Sequence, residues 1–189
     1  MATYTLFIGE TYLKDSSYID ENVDVKLIRN SILETQEMRM LPILGTGLYD
    51  ELVTQFAQGG TPTALNTTLM NTYIKPALKY WVLLDSALIL TFKVMNKSIV
   101  KRTAENTESI QTTDLDRLLD HFKIRAEMYS ERITKYLLAN NTSYPLFNTP
   151  GNSIDTVYPK LNNYTQGLYL GDEKGTWNMD IDKGRLNNC

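Results

Sequence analysis

The sequence predicts a mainly α protein: a helical bundle of four to five helices over residues 1–143, with a β-hairpin insertion near 98–110 and an extended C-terminal arm over 144–189. Three observations lead there. Apolar residues recur at helical spacing through most of the chain before Tyr144. β-Branched residues gather around an Asn-containing turn between Asn96 and Thr113. From Tyr144 onward proline and glycine punctuate a stretch without helical period.

The N-terminal run Met1-Ala2-Thr3-Tyr4-Thr5-Leu6-Phe7-Ile8 reads as a short strand or arm; it has no cationic leader and no long apolar run, so it does not read as a secretory signal. The first helix spans Asp24 to Met40, where Val25, Ile28, Ile32 and Leu33 share one face. It is expected to end at Leu41-Pro42-Ile43-Leu44-Gly45, because Pro42 lacks a backbone donor and Gly45 tolerates positive φ. Leu48, Leu52, Val53 and Phe56 mark a short second helix, stopped by Gly59-Gly60-Thr61-Pro62. A third begins near Ala64 and meets Pro76, which forces a kink or tight junction. Beyond it Ala77, Trp81, Leu84, Leu88, Phe92 and Met95 line one stripe and other sides are apolar too, which places this helix at the centre of the bundle. Thr113-Asp114-Leu115-Asp116 resembles a capping box and opens a long helix with apolar positions at Leu115, Leu118, Leu119, Phe122, Ala126, Tyr129, Ile133, Tyr136 and Leu137.

Composition bounds the function. At 189 residues, 42% hydrophobic and 22% charged, the chain fits one soluble domain with a real core. A net charge of -3 with acids and bases interspersed along most of the chain implies no basic stripe of the kind that neutralises phosphates, which argues against tight nonspecific nucleic-acid binding. One cysteine, Cys189, precludes an intrachain disulfide and fits a reducing, intracellular site of folding. The apolar stretch from Tyr80 to Phe92 contains Asp85 and is shorter than the ~20 residues that span a bilayer, so it reads as a buried helix. Five Asn-x-Ser/Thr sequons, at Asn66, Asn96, Asn140, Asn141 and Asn163, are expected to reflect composition, since the N-terminal run does not read as a secretory signal.

Catalytic chemistry has little to stand on. The single histidine, His121, lies beside Phe122 without a visible nucleophile or orienting acid, so the chain is expected not to be an enzyme. Gly45-Thr46-Gly47 lacks the third glycine and the Lys-Ser/Thr ending of nucleotide loops and reads as a turn. Asn178, Asp180 and Asp182 mimic the start of a calcium loop, but the next glycine is displaced to Gly184 and no glutamate follows, so no metal and no cofactor is expected. Asp85, on an apolar helix, requires a partner or a polar edge. The arm carries apolar anchors at Tyr158, Leu161, Tyr164, Leu168, Tyr169, Leu170, Trp177 and Met179, too many for a solvated tail; they suit a flap folded back on the body or an anchor for another chain, and because the helices already complete a core the second is expected, which makes them the partner-binding residues. Ile99, Val100, Arg102 and Ile110 are the expected inter-subunit contacts of the hairpin.

Several strings carry a family resemblance: Tyr18-Ile19-Asp20-Glu21-Asn22-Val23-Asp24, the corner Glu37-Met38-Arg39-Met40-Leu41-Pro42-Ile43-Leu44-Gly45-Thr46-Gly47-Leu48-Tyr49, Tyr73-Ile74-Lys75-Pro76-Ala77-Leu78, Asn96-Lys97-Ser98-Ile99, and Tyr129-Ser130-Glu131-Arg132-Ile133-Thr134-Lys135-Tyr136-Leu137. Over roughly Tyr18 to Phe147 the chain resembles the head-to-tail connector (neck, or head-completion) proteins of tailed bacteriophages of Bacteroides-type hosts, including crAss-like phages. The resemblance implies a virion structural protein assembled in the host bacterial cytoplasm. It further implies a homo-oligomeric ring, commonly dodecameric, that joins the portal to neighbouring neck or tail rings. DNA would pass through its lumen without sequence-specific binding, and no membrane is involved. The rival expectation is a small helical adaptor or regulator that binds a single cellular protein.

Overall fold

A computed structural model describes residues 4–20, 23–94, 99–101, 112–151 and 154–161. The architecture is mainly α, a bundle whose core is shared by α2, α6 and α7. In order, the elements are α1 (Glu10–Ser16), α2 (Val25–Thr35), α3 (Leu41–Leu44), α4 (Thr46–Phe56), α5 (Ala64–Thr68), α6 (Lys75–Thr91), β1 (Phe92–Val94), β2 (Ile99–Lys101), α7 (Thr112–Ala139) and α8 (Pro145–Asn148), with a 3-10 turn at Asn141–Ser143. Among the described residues no helix is long and apolar enough to cross a membrane.

Local chemistry explains the starts. The Asp24 carboxylate accepts from Lys26 N at 2.9 Å and caps α2; the Thr63 hydroxyl accepts from Asn66 N at 3.2 Å and caps α5. The helices do not break at their prolines. α2 runs into α3 through a π-helical turn, Gln36–Met40, and α5 runs into α6 through another, Leu69–Ile74. Each wide turn ends two residues before a proline, Pro42 or Pro76. The physical reason is the same at both: a proline removes one donor and its ring crowds the carbonyl one turn behind, and widening that turn relieves the clash while the chain stays helical.

The long amphipathic helix is built on the expected periodicity: Ala126, Ile133 and Leu137 of α7 are buried in one core with Ala77, Leu78, Trp81 and Val82 of α6, and Phe122 is buried beside Tyr18. The N-terminal stretch departs from the expected strand or arm. It is irregular from Tyr4 to Gly9 and then helical in α1, and it is pinned by Phe7, Ile8 and Leu13 in the core. Buried Gln36 holds it in place: Phe7 N donates to Gln36 Oε1 at 2.7 Å, and Gln36 Nε2 donates to Thr5 O and Tyr49 OH, each at 3.1 Å.

The hairpin expected near 98–110 is corrected. Ile99–Lys101 pairs backward with Phe92–Val94 in a three-residue antiparallel ladder, with Phe92 opposite Lys101 and Val94 opposite Ile99. Phe92 and Val94 are of the aromatic and β-branched types that favour strands, and a connection of four residues, 95–98, joins them to Ile99. Residues 102–111, on which the remainder of the expected hairpin falls, lie outside the described residues.

Candidate interaction site

Three surfaces stand out. The first is the corner at α3 and α4, where the segment leaving α8 closes onto the body. Thr46 N donates to Val157 O at 3.0 Å, Val157 N donates to Thr46 Oγ1 at 2.8 Å, and Lys160 N donates to Pro42 O at 2.8 Å. Gly45 has φ +75°, ψ 158°, a region open to glycine, and a Cβ there would lie 2.9 Å from Pro159 Cδ and 3.3 Å from Val157 O. At Gly47 a Cβ would meet Pro150 Cα at 3.0 Å. Both glycines therefore serve close backbone approach, as the turn reading required. The stretch assigned to an arm from Tyr144 begins inside the core: Tyr144 and Phe147 are buried, and Tyr144 OH donates to Leu65 O at 3.0 Å. Burial pushes the Tyr144 phenol above its ordinary range, helped by its hydrogen bond to Tyr136 and repulsion from it.

The second surface is an aromatic seam roofed by cations. Tyr73 and Tyr80 are seven positions apart in sequence, as are Phe122, Tyr129 and Tyr136. Tyr80 stacks on Tyr129 at 5.6 Å, Tyr73 on Tyr136 at 4.2 Å, and Tyr18 on Phe122 at 6.4 Å. Four cations lie over these rings or beside them: Lys79 4.9 Å and Arg125 5.9 Å from Tyr80, Arg132 5.4 Å from Tyr129, and Lys75 5.8 Å from Tyr12. None of the four forms an ion pair with a carboxylate among the described residues. Burial lowers the Lys79 ammonium and raises the Tyr80 phenol from their ordinary values. His121 is exposed at the edge of this seam, against Arg125 and Phe122.

The third is a groove of about 380 Å³ between α2, α6 and α7, lined by Ser31, Glu34, Met38, Leu84, Ile89 and Leu119 together with the pair Arg39–Asp85. Asp85 has the partner its position demanded: Arg39 Nη2 lies 3.0 Å from Oδ1, and the Thr35 hydroxyl donates to Oδ2 at 3.2 Å. The guanidinium also covers Trp81 at 4.3 Å, and Trp81 Nε1 donates to Ser130 Oγ at 2.8 Å. Ser31 Oγ is buried at this groove with no hydrogen-bond partner among the described residues.

The residues expected to bind partners divide by position. Tyr158 and Leu161 are exposed. Ile99 and Val100 form β2. Tyr164, Leu168, Tyr169, Leu170, Trp177, Met179, Arg102 and Ile110 lie outside the described residues, as do Asn178, Asp180 and Asp182. Among the described residues no group of three His, Cys, Asp or Glu side chains could hold a metal ion. Sequence reasoning missed the seam and Gln36. The heptad spacing of the tyrosines was a signal for the seam; nothing local marks Gln36.

A family model, described as a family of unknown function (DUF6712), matches residues 40–157. No curated protein and no solved structure matches the chain. The matched span begins at the corner and ends at Val157, the residue that hydrogen-bonds back to Thr46, so its two ends meet in space. Covering more than half of the 189 residues, the match establishes that the chain belongs to the DUF6712 family, a family of unknown function.

Proposed function

We propose that the protein is a head-to-tail connector subunit of a tailed-phage virion: a non-enzymatic ring component in the neck that joins the portal to the tail and surrounds the DNA path. The motif resemblance supplies the role, and the observation that carries it here is the closed corner. Pro42, Gly45 and Thr46 grip Val157–Lys160, which ties the chain to the body just before Leu161. Residues 162–189 retain Tyr164, Leu168, Tyr169, Leu170, Trp177 and Met179 as anchors for the portal or the adjoining ring, and Tyr158 and Leu161 stand exposed at the exit. Ile99, Val100, Arg102 and Ile110 remain the proposed inter-subunit contacts near β2.

The experiment compares full-length chain with a chain ending at Leu161 for co-sedimentation with the portal protein of the same genome. Full-length protein is expected to co-sediment in many copies and the truncated one to stay in the supernatant while keeping its helical spectrum. If full-length protein fails to bind the portal, or binds a single cellular protein one to one, the connector reading falls to the adaptor reading.

A further inference from the structure

We propose that the cation–tyrosine seam of α6 and α7 grips the groove between α2, α6 and α7 on the next copy of this chain. The inference rests on the ring-subunit reading and names the two faces such a ring needs. A ring built head to tail requires two different, mutually complementary patches on one chain. The seam offers Lys75, Lys79, Arg125 and Arg132, four like charges with no carboxylate partner among the described residues. Arginine held over tyrosine is already ordered and loses little freedom on docking, and these two residue types carry much of the energy in protein interfaces.

The groove is the counterpart. Its wall includes Met38, 67% exposed, and Ile89, 41% exposed, which are apolar surfaces in want of cover. Glu34 lines it and is exposed, and Asp116 and Asp120 are exposed on the turns of α7 around Leu119. Ser31 Oγ adds a buried hydroxyl without a partner among the described residues. On α7, Leu119 lies roughly 120–140° around the axis from Arg125 and Arg132, at about 100° per residue. One copy can therefore present its seam to one neighbour and its groove to another. A duplex on the seam would satisfy the cations and leave the groove unexplained; a second copy accounts for both.

The test is a charge swap. Arg125→Glu with Arg132→Glu puts carboxylates on the seam to face those of the groove, and Glu34→Lys with Asp120→Lys puts cations on the groove to face those of the seam. Each double variant alone is expected to self-associate at least about ten-fold more weakly than wild type, and a one-to-one mixture to recover assembly, since opposite charges again meet. The neutral pair Lys75→Gln with Arg132→Gln should weaken assembly in the same direction, which guards against a fold defect. Wild-type assembly by either swap variant alone overturns the proposal, as does a mixture of two folded variants that stays monomeric. A seam variant that assembles normally but loses retention of duplex DNA overturns it in favour of a nucleic-acid face. Rings that persist through these changes leave the connector reading standing, whereas a wild-type chain that forms no ring with the portal removes that reading itself.

Discussion

Gly45 shows how a single residue closes the body. Its positive φ lets the chain turn from α3 into α4, and its missing side chain lets Pro159 and Val157 approach. Gly45→Ala should cost roughly 1–3 kcal/mol, the strain of an unfavourable backbone region together with the clash; a urea midpoint equal to wild type would refute this. Tyr144 is the second such residue. Its phenol is raised in the folded state, so folding retains a proton that the unfolded chain releases near pH 10. That contribution is whole below about pH 10 and fades as pH rises from there toward the raised folded value. Tyr144→Phe should cost about 1 kcal/mol at neutral pH through the lost bond to Leu65 O, and should lose less stability than wild type between neutral pH and pH 10.5. Chemical denaturation at the two pH values checks both. Neither role is written locally: Val157 and Thr46 are separated by 111 positions, so the glycine's turn was legible and its contact was not.

At the scale of elements, α7 holds the bundle by burial. Ile133 is 0% exposed, so Ile133→Ala should cost about 2–5 kcal/mol, while Ile124→Ala, at 67% exposure, should fall within about 0.5 kcal/mol. Equal effects in thermal melts would mean that α7 packs by another face. The elements legible in the sequence were those with sustained amphipathic pattern: α2, α4 and α7 follow their apolar stripes except at Val25 and Leu118, which are exposed near the helix starts, and the apolar helix α6 is central. Those that escaped have physical reasons. α1 is 7 residues long and buries one residue, Leu13, which is too little for periodicity to register. The π-helical turns depend on a carbonyl one turn behind each proline, where a break and a continuation look alike in sequence. The β1–β2 ladder escaped because Phe92 continues the apolar stripe of α6 and so reads in sequence as its last turn.

At the scale of the whole molecule, the seam explains how an acidic chain can own a basic face. Its cations come from two distant helices, and the net charge of -3 says nothing about where they gather. Ending the chain at residue 143 removes Tyr144 and Phe147 from the core and should unfold the body; ending it at Leu161 should leave the melting temperature within a few degrees of wild type. The measurement that bears most directly on the account is the native mass of full-length protein mixed with its portal. A single closed multiple of the subunit mass, bound to the portal, is the expected result. A monomer, or one copy on one partner, would contradict the account.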